Sequence, residues 1–250
     1  MSFTARWNEL FDKKIPNMVL RFAVMAIGLA FVAASVALTR ASGLGTSPIS
    51  CIPAVLSFTT AWSIGVWTFV LNVLFVLIQM ALLRKRFRAV YWLQVPFVFV
   101  FSAMIDFFVF VFGEVTIPHY GAQMFYTLIG CIMTGFGVFL QVKASLITLP
   151  GEGIVLAIAQ ATGIEFPKCK IAFDSSQCII GVIISLVAMG GLYGVREGTI
   201  ISALLVGSVV KACNKLFRNF ERAVPLQGHI TLTATTMPAP EQTNTQTEAA

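Results

Sequence analysis

Residues 64–83 read IGVWTFVLNVLFVLIQMALL, a run without one charged side chain. A helix rises about 1.5 Å per residue, so this stretch is about 30 Å long as a helix. That is the thickness of a bilayer's hydrocarbon core. Asn72 and Gln79 are polar within it. In water such a helix would have no polar face to turn outward, whereas lipid needs none.

The same signature recurs on both sides. Apolar runs of spanning length are read at 20–40, 91–112, 122–142, 171–190 and 198–217. Two shorter apolar stretches, 46–60 and 150–162, each have a proline near the start. They are too short to cross comfortably and read as re-entrant half-helices. The whole chain is 57% hydrophobic and 11% charged, against roughly 25% charged in soluble domains. Its mean hydropathy is +0.85. The net charge of +6 does not indicate nucleic acid, because the basic residues sit in short clusters between apolar runs, as in membrane loops. The composition excludes a soluble enzyme.

The two halves can be laid over each other. Arg40-Ala41-Ser42 matches Lys143-Ala144-Ser145, Thr46-Ser47-Pro48 matches Thr148-Leu149-Pro150, and Asn72 matches Asp174. The offset is 102 or 103 residues throughout, and each half reads long, short, long, long. Residues 1–19 then form a cytoplasmic segment, 20–112 a first membrane repeat, 122–217 a second, and 225–250 a disordered cytoplasmic tail rich in Thr, Gln, Pro and Ala.

Charge selects the topology. If both short segments return to the side they left, every Lys and Arg except Arg40 and Arg196 lies with the N-terminus in the cytoplasm. If they cross instead, Arg84, Lys85, Arg86 and Arg88 move outside. Short-loop Lys/Arg bias favours the first arrangement. Each half then crosses three times and the second runs upside down relative to the first. The predicted fold is an all-α membrane protein of six transmembrane helices plus two short re-entrant half-helices, in two inverted-topology repeats.

Seven residues, Ala41–Ser47, separate Arg40 from Pro48. Extended, they reach about 23 Å, more than the ~15 Å to the bilayer centre. Proline suits the first turn of a helix, and Ser or Thr its cap. The two half-helix starts should therefore meet near the midplane, where free amides and dipoles suit a solute. The residues expected to bind substrate are Thr46, Ser47, Pro48, Asn72, Thr148, Pro150, Glu152 and Asp174, with Gln94 and Gln141 lining a pore. Several readings stay open. Thr46, Ser47 and Thr148 also read as simple caps. Asp174 either belongs to the site or pairs locally with Lys168 or Lys170, and Glu152 either compensates the helix dipole or carries a proton. Gln79 reads as glue between helices, and Asp106 falls near the outer end of its helix.

Five cysteines are scattered without metal-ligand spacing, and the two histidines, His119 and His229, lie in a loop and in the tail. No metal site, cofactor or Walker motif is expected.

Gly43-Leu44-Gly45-Thr46-Ser47-Pro48, followed by Asn72, Gln79, Arg84 and Phe87, resembles the first half of the YczE/YyaS/YitT family. Gly198-Thr199-Ile200-Ile201 with Gly207 resembles its final helix. The resemblance spans about residues 20–220 and implies a bacterial multi-pass inner-membrane protein, with no substrate and no catalytic residues to carry over. The expected function is secondary transport of a small polar or charged solute, not enzymatic catalysis. The alternatives are a passive channel and a non-transport scaffold or partner subunit. The expected partners are the solute or ion and the lipid bilayer, with no nucleic acid. A homo-oligomer is left open.

Overall fold

A computed structural model describes residues 18–217 except 85–88, 113–116 and 145. The expected N-terminal segment up to residue 17, most of the Arg84–Arg88 cluster, Phe87, Ser145 and the 225–250 tail lie outside the described residues.

Among the described residues every regular element is helical, in the order α1 (Met18–Ser42), α2 (Pro48–Thr59), α3 (Ile64–Leu83), a 3₁₀ turn (Ala89–Leu93), α4 (Gln94–Phe112), α5 (Tyr120–Ala144), α6 (Pro150–Thr162), α7 (Phe166–Met189) and α8 (Glu197–Leu216). Six helices, α1, α3, α4, α5, α7 and α8, are long and apolar enough to cross a membrane. Their outer faces carry large bare hydrophobes, among them Phe110 at 85% exposure and Val187 at 83%. A soluble protein rarely exposes such faces, and a bilayer covers them. This is a membrane protein.

The short helices α2 and α6 have 12 and 13 residues, about 18–20 Å of helix. Each has its proline at the first turn, where a missing N–H costs nothing. Helix α6 ends on Gly163 and α7 on Gly190, both left-handed, at φ 73° and 66°.

Helix α7 begins at Phe166 rather than at 171. The apolar run opens at 171, but Pro167 starts the helix earlier, and Lys168 and Lys170 ride on its first turns. They pair with Glu165 and Asp174 at 3.1 and 2.8 Å.

Helix α1 lies antiparallel along α5. Gly28 meets Gly137, Ser35 meets Thr134, Gly130 meets Thr39, and Thr127 donates to Ser42 Oγ at 3.0 Å. Numbers rise on one helix as they fall on the other. Glycines at the crossing let the backbones approach, the packing that holds helices together where lipid removes the hydrophobic drive.

The remaining neighbours follow a pattern. Helix α1 packs on α4 and α5 on α8; α2 packs on α7 and α6 on α3; α2 packs on α3 and α6 on α7. Stepping each helix four elements along interchanges the members of each pair. The extensive α3–α4 packing has no counterpart of similar extent.

One inter-helix contact fixes the start of α3. Asp106, on α4, accepts from Ser63 Oγ at 2.6 Å and from the Gly65 amide at 2.8 Å. A carboxylate from one helix thus satisfies the first donors of another. Gly65 is required there, since a Cβ would strike the Ser102 carbonyl and the Asp106 carboxylate.

Candidate functional site

The first turns of α2 and α6 touch. Ile49 lies against Gly151, so closely that a Cβ at 151 would overlap the Ile49 side chain. The two positions are 102 residues apart, the offset of the internal match. The flanks repeat this relation. Cys51 packs on Gly181, and Gln79 packs on Gly153. Both proline carbonyls accept a side-chain donor: Pro48 O from Cys51 Sγ at 2.8 Å, and Pro150 O from Gln79 Nε2 at 3.2 Å.

Ser47 occupies the cap position of α2, but its hydroxyl makes no cap bond and donates to Ser50 Oγ at 3.2 Å. Leu149 occupies the same position of α6 and has no side chain to cap with. The capping reading is therefore corrected for Ser47, which makes no cap bond, and for Thr148, which precedes the cap position. The helices begin on proline geometry and on backbone bonds, from Ser50 N to Ser47 O and from Glu152 N to Leu149 O, at 2.9 and 3.0 Å.

The two sides of this junction differ. On the α2 side the loop is zipped shut. Gly45 pairs with Val195 in an antiparallel bridge, Thr46 N donates to Gly194 O at 3.3 Å, and Gly198 N donates to Leu44 O at 2.9 Å. Gly45 takes φ +99°, and a Cβ there would meet Thr199 Oγ1 at 2.5 Å, so glycine is needed twice over. Thr46 is buried at 1% exposure. On the α6 side a shallow cleft, with about 10 Å³ of space for a water-sized molecule, is lined by Leu83, Tyr91, Gln94, Thr148, Gly153, Leu156, Ala157 and Gln160.

The expected site residues are distributed as follows. Thr148 and Gln94 line the cleft, and Pro150, which opens α6, accepts from Gln79. Thr46 lies in the zipped loop, and Ser47 and Pro48 open α2 beside it. Asn72 turns back on its own helix, donating to Thr68 O at 2.8 Å. Asp174 forms its ion pair with Lys170, the local one of the two readings. Glu152 lies within electrostatic range of that pair and not on the cleft wall. Gln141 lies at the α1–α5 crossing beside Gly28.

Gln79 carries more than the sequence reading gave it. It is fully buried and joins α3 to α6 at Pro150, with Gln94 Oε1 at 3.5 Å from its amide nitrogen. Its place in the Asn72–Gln79–Arg84 motif is the signal that marks it. Gln160 and Tyr91, which line the cleft, carry no such mark.

The family model for a family of unknown function, DUF6198, matches residues 19–215. The chain belongs to this family. Among similar proteins, an uncharacterized protein of Haemophilus influenzae is 23% identical over 83% of this chain and 86% of its own length. The uncharacterized membrane protein YczE of Bacillus subtilis is 26% identical over 78% of this chain and 86% of its own. The resemblance to YczE-type proteins therefore holds for most of the chain. No solved structure matches.

Proposed function

We propose that the chain is a secondary transporter of a small polar solute, a carrier and not an enzyme, set in the bacterial inner membrane with both termini cytoplasmic. In this reading α2 and α6 are re-entrant, and the two halves are inverted repeats whose site lies where the short helices meet. The observation that carries it is the contact of Ile49 with Gly151, which joins the two helix starts at equivalent positions.

Two further contacts support it. The Arg40 guanidinium, near the end of α1, lies 4.8 Å from the ring centre of Phe58, near the end of α2. A helix that crossed the membrane would carry Phe58 far from Arg40, and a re-entrant one returns it. The antiparallel α1–α5 pair sets the opening helices of the two halves in opposite directions, as inversion requires.

The asymmetry of the junction favours a carrier over a channel. With the charge-derived topology, the zipped loops face outside and the cleft faces the cytoplasm. A carrier in one of its two states is closed on one side and open on the other, while a conducting channel is open on both.

The zipped loops supply a test. A short bismaleimide bridging Gly43→Cys and Arg196→Cys would hold the outer side shut, since Arg196 Nη1 already reaches Gly43 O at 3.5 Å. In proteoliposomes screened with labelled small metabolites, concentrative uptake sensitive to a protonophore is expected, and the bridge should cut it at least about tenfold, the size of a blocked conformational step. Flux that runs only downhill and survives the bridge overturns the carrier.

A further inference from the structure

We infer that the carrier changes state by rocking two four-helix bodies against each other, and that Asp106 is the latch that holds them in the arrangement seen here. The inference rests on the transport reading and supplies its moving parts.

Helix packing divides the chain. Helices α1, α4, α5 and α8 form one body, through α1 on α5, α1 on α4 and α5 on α8. Helices α2, α3, α6 and α7 form a second, through α2 on α7, α3 on α6, α2 on α3 and α6 on α7. Each half of the chain gives two helices to each body, and a step of four elements maps each body onto itself. A buried apolar cluster follows the division: Phe75, Ile154, Val155, Cys169 and Phe173 all come from the second body.

The seam between the bodies is lopsided. Helix α3 packs extensively on α4, and α2 touches α8. Their counterparts, α7 with α8 and α6 with α4, have almost no packing between them. The shallow cleft lies in the second of these gaps, between α6 and the start of α4. The seam is thus closed at one set of helices and open at the set that the repeat makes equivalent. Two matching halves admit the converse arrangement, with α7 on α8 and α6 on α4, and one repeat or bundle moving as a rigid unit against the other is how such folds alternate access. Packed bodies switch between discrete arrangements and do not deform continuously.

Side chains hold the packed seam along its length. Asp106 on α4 accepts from Ser63 Oγ and Gly65 N at the start of α3. Phe69 meets Phe99 edge to face at 5.9 Å, and Gln79 Nε2 lies 3.5 Å from Gln94 Oε1. The second half cannot copy the Asp106 bonds. Helix α3 begins at Ile64 and α7 at Phe166, 102 residues on, so Pro167 stands where Gly65 stands and has no amide to donate. The latch therefore favours this arrangement over its converse. Gly43 and Gly190 lie where the chain passes from one body to the other, at φ +74° and +66°, with open space where a Cβ would be. Such positions can absorb the backbone rotation of a swing.

The test reads both sides of the seam. N-ethylmaleimide labelling rates of Thr46→Cys and of Leu156→Cys are measured separately in the full chain in membranes, with Cys178 and Cys213 changed to alanine. Thr46 is 1% exposed in the zipped loop on the α2–α8 side, and Leu156 lines the open α6–α4 side. Asp106→Asn should raise labelling of Thr46→Cys about tenfold, as loss of one hydrogen bond to a charged group allows, while Leu156→Cys labels no faster than before. Gly65→Ala, whose Cβ would strike the Ser102 carbonyl and the Asp106 carboxylate, wedges the same seam and should act alike. Gly137→Ala strains a crossing inside one body and should raise neither rate. Labelling that rises on both sides means a loosened fold and overturns the inference, as does a Thr46→Cys rate that Gly137→Ala raises equally. A Thr46→Cys rate unchanged in both seam variants also overturns it. Concentrative uptake by the parent in proteoliposomes would then keep the carrier and discard the rocking, and its absence would discard both.

Discussion

Gly137→Leu is expected to separate α1 from α5 and to abolish a stable monodisperse protein. A Cβ at 137 would lie 2.7 Å from both the Gly28 carbonyl oxygen and Val32 Cγ2, and 3.1 Å from Phe31 Cβ. The reverse holds at Gly28, whose Cβ would lie 2.8 Å from the Gly137 carbonyl. The nearest atoms include backbone on both helices, so no rotamer change makes room. Overpacking a tight core costs about 1–3 kcal/mol when side chains can shift. With backbone on both sides the cost of a leucine exceeds about 3 kcal/mol. In lipid the pair has no hydrophobic drive to compensate, because its association depends on close packing. The measurement is the melting midpoint by fluorescence-detected size exclusion in detergent. Gly137→Ala should show a partial loss. Gly207→Leu is the control, since a Cβ there meets nothing within 4 Å, and it should melt with the parent. Equal melting of Gly137→Leu and the parent would remove the α1–α5 crossing from the account.

Asp106→Asn should lower the melting midpoint by roughly 4–8 °C, from about 2 kcal/mol lost at roughly 2–4 °C per kcal/mol in a chain of this size. The carboxylate accepts from both Ser63 Oγ and the Gly65 amide. Asparagine can accept only on one oxygen and must point its NH₂ at the other donor. Hydrogen bonds to charged groups contribute about 1.5–3 kcal/mol, and a donor left without a partner costs about 1–3 kcal/mol. Ser63→Ala keeps the Gly65 bond but also removes the cap bond that Ser63 Oγ accepts from Val66 N at 3.1 Å, so its loss combines both. A midpoint for Asp106→Asn equal to the parent's would show that the carboxylate contributes nothing at the start of α3.

Asp106 also shows where sequence reading ran out. The six spanning helices were legible because hydrocarbon demands length and apolarity, and both are local properties of runs such as 64–83. The short helices were legible because Pro48 and Pro150 each follow a Thr-X pair and head an apolar stretch below spanning length. Asp106 was readable as an acid near a helix end, but its partners lie 41 and 43 residues away, and no periodicity announces a cap supplied by another helix. The start of α7 was missed because an apolar-run criterion discards Lys168 and Lys170, which the helix carries by pairing them at i+4 and i−3 spacing.

The site was legible in outline only. Matching prolines indicated two helix starts, and Ile49 does meet Gly151. The polar residues singled out at the starts do not converge. Thr46 is taken up in the zipped loop and Asp174 by Lys170, while Thr148 and Gln94 line the cleft and the buried Gln79 reaches Gln94 from within the protein. Gln79 was passed over as helix glue because an amide within a span usually bridges helices. It does bridge them, through one of its two polar atoms. What makes room for its side chain is Gly153, and a glycine's consequence for a residue far along the chain is not written in either local stretch.

The central claim is that the two halves run in opposite directions, with α2 and α6 each returning to the side they left. The most direct test is the sidedness of two exposed residues just beyond the short helices, Ala61 and Ile164. Each is changed singly to cysteine in a chain otherwise free of accessible thiols and treated in intact cells with an impermeant maleimide. The account predicts labelling of Ala61→Cys from outside, and labelling of Ile164→Cys only after the membrane is opened. Protection of Ala61→Cys in intact cells, or labelling of both residues from the same side, would contradict it.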